Sequence, residues 1–347
     1  MKKEVESVED ITRRMNLQPM RPLDVASTTT TSDLLAAMAD TAFTGRTLGE
    51  AADVMQAMLS DPDCKVVMTL SGAMTMAGMR RLIIEMIERK WVHCIISTGA
   101  LVGHGMVEAL GMMHYKADPA ISDREYYGLG LNRVYDTLEP EPNLDALEGQ
   151  VRGVFRTLGA ERAGKPVGTV DILARLGREL PGEGILQSAV QHEVPVFIPA
   201  FTDSELGLDL AVHQRRAQMH DFVPLQYDGM RDLAVYREFC EAASVARLGI
   251  FTIGGGVPRN WAQQIGPFID VLNKRLGLQT PNIRFSYGVR ICPDPVHYGH
   301  LSGCTYSEGV SWGKFIPRAE GGRYAEVLLD ATVGWPILVR AMLDRGL

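Results

Sequence analysis

The amino-acid sequence predicts an α/β fold: a doubly wound, mostly parallel sheet with helices on both faces. Three observations predict it. Short runs rich in β-branched and apolar residues recur along the chain, segments with helical periodicity lie between them, and each run gives way to Gly, Ser, Thr or Asp. Strands joined by helices run parallel, because each crossover returns the chain to the same end of the sheet.

Taken in order, residues 1–31 are polar and read as an N-terminal arm, ending in Ser27-Thr28-Thr29-Thr30-Thr31-Ser32, a cap for a helix at Asp33 to Ala42. Residues 32–347 then form a single domain. Strands are expected at Lys65 to Leu70, Val92 to Thr98, Pro195 to Ala200, Ile250 to Ile253, Ile283 to Val289 and Glu326 to Asp330. Helices are expected at Met79 to Lys90, Val102 to Met113, Asp171 to Glu179, Leu233 to Ala246, Trp261 to Leu276 and Trp335 to Asp344. The stretch Asp118 to Pro142, rich in Pro, Asp, Gly and Tyr, reads as an irregular functional loop or interface, since it is too long for a passive connector.

Bulk composition narrows the function. With 347 residues and 46% hydrophobic content the chain can bury a large core, and its 35 Lys and Arg against 42 Asp and Glu give a net charge of −7. That balance, with no clustered basic run, argues against nucleic-acid binding and suits a cationic substrate. Cys64, Cys94, Cys240, Cys292 and Cys304 are spread without a CxxC pair, which fits a reducing cytoplasm rather than a disulfide framework. The N-terminus carries no apolar signal stretch, and no apolar run reaches membrane-spanning length.

Ligands of open parallel sheets sit beyond the carboxyl ends of the strands, so the loops there carry the chemistry. Ser71-Gly72-Ala73-Met74-Thr75 follows the first strand and Thr98-Gly99-Ala100 the second; both present backbone amides at a helix start, where an anion is favoured. Gly254-Gly255-Gly256-Val257-Pro258 opens a further helix, and Asp330 ends the last strand, where a carboxylate suits a ribose hydroxyl. The fingerprint GxGxxG is absent after the first strands, and Gly128-Leu129-Gly130 lacks its third glycine, so any dinucleotide site is atypical. HExxH, GxSxG and the Walker A loop are missing, and His297 and His300 read as solvated loop residues; no metal is expected.

Trp312-Gly313-Lys314 is open to two readings: a surface turn with a snorkelling lysine, or a nucleophilic amine whose ammonium is disfavoured by an aromatic wall. Glu308, upstream in what reads as the same loop, suits a substrate ammonium. The ordered series Thr98-Gly99-Ala100, Pro199-Ala200-Phe201-Thr202-Asp203, Gly254 to Pro258, Ser307 to Lys314 and Asp330-Ala331 resembles the motifs of the deoxyhypusine synthase family, from about residue 60 to the C-terminus.

The resemblance implies a Rossmann-like homotetramer with NAD and polyamine held at subunit interfaces. Spermidine is oxidised by hydride transfer to NAD, its aminobutyl group passes to the lysine as an imine with loss of 1,3-diaminopropane, and an acceptor amine displaces the lysine before the hydride returns. The acceptor is a protein lysine in the main branch and putrescine in the related homospermidine synthases. Carried onto this chain, Lys314 is the catalytic nucleophile, and Glu308 and Trp312 contact the polyamine. Gly72, Ala73, Met74, Thr75, Met76, Thr98, Gly99, Ala100, Asp203, Gly255, Asp330 and Ala331 contact the cofactor.

Three polyamine-site positions depart from the family. Asn260 replaces a histidine, His104 replaces an acidic residue, and Leu208 stands where an acidic residue is expected, with Asp209 one place late. Each lost pairing with an ammonium is worth about 1–3 kcal/mol, so the identity of the amine stays open. A small-amine acceptor, a binding protein without turnover, and an oxidoreductase that stops at amine oxidation remain alternatives.

Overall fold

The computed structural model describes residues 7–242 and 245–347. Residues 1–6 of the expected arm, and Ala243 and Ser244 near the end of the expected helix at Leu233 to Ala246, lie outside the described residues.

Among the described residues nine strands form two sheets: β1 (Cys64–Leu70), β2 (Cys94–Ile96), β3 (Tyr115–Lys116), β4 (Leu131–Val134), β5 (Thr137–Pro140), β6 (Val196–Phe197), β7 (Arg247–Ile253), β8 (Phe285–Ile291) and β9 (Arg323–Val327). The main sheet has the order β6-β2-β1-β7-β8-β9, and every pairing in it is parallel. All six strands expected from the sequence are present and form this sheet, but the last runs Arg323–Val327 rather than Glu326 to Asp330, so Asp330 lies beyond its end as a helix cap. Counted among themselves they run 3-2-1-4-5-6, the order of dinucleotide-binding sheets, with the direction of winding reversing between β1 and β7. A crevice opens beyond the carboxyl ends of two such strands, because their loops leave toward opposite faces. The missing GxGxxG pattern therefore gave no warning of the strand order.

Burial on both faces explains why the strands read as nearly continuous apolar runs. Val66, Met68 and Leu70 of β1 join the core on one face with Ile291, Val327 and Trp335, while Val67 joins Cys94, Ile250 and Phe285 on the other. Trp335, on the helix Ala331–Asp344, is fully buried, and its indole N–H has no hydrogen-bond partner. Trp335→Ala is expected to cost about 3–5 kcal/mol in urea unfolding. Trp335→Phe should cost clearly less, since it keeps most of the packing and deletes the unpaired donor; equal losses would mean that the core does not read packing there.

Two local expectations are corrected. The stretch Asp118 to Pro142 is ordered: a helix (Asp123–Gly128) leads into a hairpin of β4 and β5, extended by β3 into a three-stranded antiparallel sheet, and the Tyr126 hydroxyl donates to the Asp118 carbonyl at 2.8 Å. The expected helix from Trp261 to Leu276 is two, Val257–Gln263 and Ile265–Leu276. Pro267 explains the break, because it cannot donate to the carbonyl of Gln263 and so belongs in the first turn of a new helix. The helix Phe43–Leu59 leaves only a weak apolar pattern in the sequence, since its buried face is built partly from Gly49, Ala51 and Ala52. At the N-terminal side, Thr30 caps the helix Thr31–Ala39, with Asp33 completing a capping box. Among the described residues no helix is long and apolar enough to cross a membrane.

Candidate active site

Lys314 is placed by a helix end and a strand start. Thr305 caps the helix Tyr306–Ser311, so Glu308 stands on a helix rather than in a loop. The helix stops in a Schellman arrangement: Gly313 N–H donates to the Val310 carbonyl at 3.0 Å, and Lys314 N–H to the Gly309 carbonyl at 3.0 Å. This closure needs a left-handed residue at Gly313, whose φ is +68°. The Lys314 carbonyl then accepts from Phe285 N–H at 3.0 Å, at the start of β8. Below, Tyr306, Phe315 and Tyr324 pack edge to face or tilted, with ring centroids 4.8–5.4 Å apart. Lys314 therefore sits at a fixed corner of the sheet.

The other side of the corner comes from β7. Gly254-Gly255-Gly256 turns the chain into the helix Val257–Gln263, and Asn260 lies one turn inside it, its N–H bonded to the Gly256 carbonyl at 2.8 Å. Lys314 Nζ donates to Asn260 Oδ1 at 2.8 Å. These two residues, with Glu308, Trp312, Arg259, Cys304 and their neighbours, line a cavity of about 190 Å³. Trp312 forms its rim and is 64% exposed.

Electrostatics in the cavity disfavour the ammonium. Burial is the main cause that lowers the Lys314 pKa, and the neighbouring Arg259 guanidinium adds to it; Cys304 and Glu308 pull the other way. Arg259 is buried, donates to the Leu301 carbonyl at 3.2 Å and stacks over Tyr306 at 5.2 Å. Sequence reading missed Arg259 and Cys304: an arginine beside a glycine-rich turn reads as solvated, and only the fold turns it inward.

The loops beyond β1 and β7 face each other across the switch point. A Cβ on Gly255, whose φ is +32°, would overlap the Ser71 side chain, so the close approach requires glycine. Thr98 Oγ1 donates to the Gly72 carbonyl at 3.3 Å and also caps the helix Gly99–Ala109. Ser204, next to Asp203, packs against Gly99 so closely that no side chain fits there. Asp330 caps the helix Ala331–Asp344, its Oδ1 accepting from Thr332 N–H at 2.8 Å. Ala73, Met74, Met76 and Asp330 line a crevice of about 1290 Å³. Within this set Thr75 and Ala331 are buried, and the Thr75 hydroxyl is already bonded to the Leu101 carbonyl at 3.1 Å. The glycine turns, two helix starts and open crevice fit a dinucleotide at this edge of the sheet.

Two expected polyamine contacts lie elsewhere in this chain. His104 does not line the lysine cavity; it is buried, with Nδ1 3.0 Å from Glu139 Oε2. Asp209 also lies outside the cavity lining, on the helix Glu205–His220. Burial there, with the charges of Glu148 and Glu205, pushes its pKa up to about 6. Leu208 is exposed. Local sequence cannot show these orientations, because both residues sit on helices whose rotation is set by packing.

A family model described as deoxyhypusine synthase matches residues 33–342. A relative from Methanosarcina acetivorans, described as "Probable deoxyhypusine synthase 2", is 33% identical over 332 residues, covering 94% of this chain and 90% of its own. A "Deoxyhypusine synthase-like protein" from Coxiella burnetii is 31% identical over 322 residues, covering 90% and 86%. A crystal structure of a candidate deoxyhypusine synthase from Entamoeba histolytica matches the fold with a TM-score of 0.59 at 15% identity, covering 94% of this chain and 97% of the other.

Proposed function

Because the chain belongs to the deoxyhypusine synthase family, we propose that it transfers an aminobutyl group from spermidine to an acceptor amine, with Lys314 carrying the group as an imine. The observation that carries this reading is the half-buried Lys314 amine, held at 2.8 Å by a neutral amide oxygen in a cavity it shares with Glu308 and Trp312.

Each residue has a physical task. Asn260 accepts one hydrogen of the Lys314 amine, which fixes the nitrogen and leaves its lone pair free; being an amide, it takes no proton itself. Glu308 pairs with a polyamine ammonium, and Trp312 lies along the methylene chain and keeps water from the reacting carbon. Burial, with the Arg259 charge added, holds Lys314 toward its neutral form, in which it attacks. NAD supplies hydride acceptance and return when bound. Gly72 to Met76, Thr98 to Ala100, Asp203, Gly255, Asp330 and Ala331 are the residues that would hold it. Exposure of Trp312 at the rim and of Leu208 on its helix fits a homotetramer whose neighbouring subunits complete the site.

Incubation with NAD and spermidine followed by borohydride should leave a reduced adduct on the peptide containing Lys314. If neither spermidine nor a related amine gives an adduct or a transient NADH signal, the reading fails. The same incubation with putrescine identifies the acceptor: homospermidine in the products marks a small-amine transferase, and its absence favours a protein lysine.

Asn260→Asp tests the electrostatic part. A carboxylate at the Asn260 position favours the ammonium and raises the Lys314 pKa. The reactive amine gains population as pH rises through its pKa, so the pH–rate midpoint of adduct formation should move alkaline and the rate at neutral pH fall by roughly tenfold or more. An unmoved midpoint would show that Asn260 does not set the amine's charge.

A further inference from the structure

Behind the crevice, away from Lys314, two imidazoles and a carboxylate converge on one point. His104 comes from the helix Gly99–Ala109, His114 from the segment just before β3, and Glu139 from β5. One oxygen of Glu139, Oε2, lies 3.0 Å from His104 Nδ1 and 2.5 Å from His114 Nε2. One nitrogen of each imidazole and one oxygen of the carboxylate fall within 4.8 Å of one another. The side chains are only 8%, 6% and 1% exposed, for His104, His114 and Glu139 in turn.

An outer layer of partners holds this trio in place. Asn143 Nδ2 donates to the second oxygen of Glu139 at 2.9 Å, which fixes the plane of the carboxylate. The far nitrogen of His114, Nδ1, faces Glu108 Oε1 at 3.4 Å, and Arg80 Nε stands 3.0 Å from Glu108 Oε2. A carboxylate behind an imidazole, oriented in turn by a charged neighbour, is the outer arrangement that sets tautomer and direction at metal-binding histidines. His114 and Glu108 also line the crevice of about 1290 Å³, which gives an ion a path and leaves room for a fourth ligand.

The geometry points to a divalent transition-metal site of the zinc class, with His104 Nδ1, His114 Nε2 and Glu139 Oε2 as protein ligands and the remaining position open toward the crevice. Two histidines and a glutamate are a donor set of open zinc sites, and borderline-soft ions prefer imidazole over the all-oxygen sites of magnesium or calcium. Binding replaces the imidazole protons shared with Glu139 by one ion, with those protons released to solvent. The ion would tie the small antiparallel sheet to the helix that starts at Gly99, joining the crevice wall to the parallel sheet. The transfer chemistry proposed for Lys314 does not depend on it.

The test uses the full chain, stripped with a chelator and titrated with Co²⁺ as a spectroscopic probe. About one Co²⁺ per chain is expected, with the visible ligand-field bands of a four-coordinate ion, displaced by stoichiometric Zn²⁺. Glu139→Gln and His114→Asn should lose the bands while keeping the far-ultraviolet circular dichroism of the folded chain; His300→Ala should keep them. If either ligand variant fails to fold, histidine carbethoxylation of the wild type, mapped with and without Zn²⁺, decides: protection confined to His104 and His114 supports the site. A folded wild type that binds no Co²⁺, bands that survive both ligand variants, or protection elsewhere overturns it.

Discussion

Lys314→Ala is expected to abolish the borohydride-trapped adduct and to lower turnover by roughly 10³-fold or more, because among the described residues no other amine shares the cavity with Glu308 and Trp312. Lys314→Arg gives the sharper comparison. It keeps a cation at the position, but a guanidinium stays protonated at any accessible pH and forms no imine. Both variants should therefore be inactive, while polyamine affinity, carried by Glu308 and Trp312, falls little. An arginine variant with near wild-type turnover would mean that the lysine acts only as a charge, and the covalent reading would be lost.

What the sequence could show about this residue, and what it could not, follows from how the position is built. A helix that ends on Gly313 leaves a local signal, since a left-handed closure asks for glycine and the residue after it is then fixed. The depth of Lys314 leaves none. It depends on Asn260, 54 positions away, and on Arg259, which is turned inward by its carbonyl contact to Leu301. The resemblance to a family supplied that distant partner by motif order, and it could not supply His104 and Asp209, where this chain departs from the family. Their side chains follow helix rotation, which places His104 against Glu139.

The fold divides in the same way. Strands such as β1 and β7 were legible because burial on both faces demands apolar runs, and Val66 and Val67 serve opposite cores one residue apart. Strand order was not legible: the seven parallel pairs between β1 and β7 join residues more than 180 positions apart. The hairpin of β4 and β5 was hidden by polar composition, since Asn132, Arg133 and Val134 face solvent and only Leu138 and Glu139 are buried. Absence of GxGxxG spoke only to one way of bringing backbone near a phosphate. Here the two loops at the switch point achieve close approach through Ser71 and Gly255.

That close approach makes Gly255 the position where the smallest change should have a large effect on the proposed cofactor. Gly255→Ala places a methyl group into the Ser71 side chain and imposes a φ of +32° on a residue that disfavours it. The loops after β1 and β7 are forced apart, and NAD affinity, measured by calorimetry or protein-to-NADH fluorescence transfer, is expected to fall tenfold or more, about 1.4 kcal/mol per decade. Because the clash is with one side chain, it can be relieved separately. Combining Gly255→Ala with Ser71→Gly removes both overlapping Ser71 atoms and leaves only the backbone strain, so affinity should recover in part. Unchanged affinity in the single variant would place the cofactor away from the β1–β7 crevice. A double variant no better than the single one would mean that backbone conformation at Gly255, rather than the space beside Ser71, is what the loop requires.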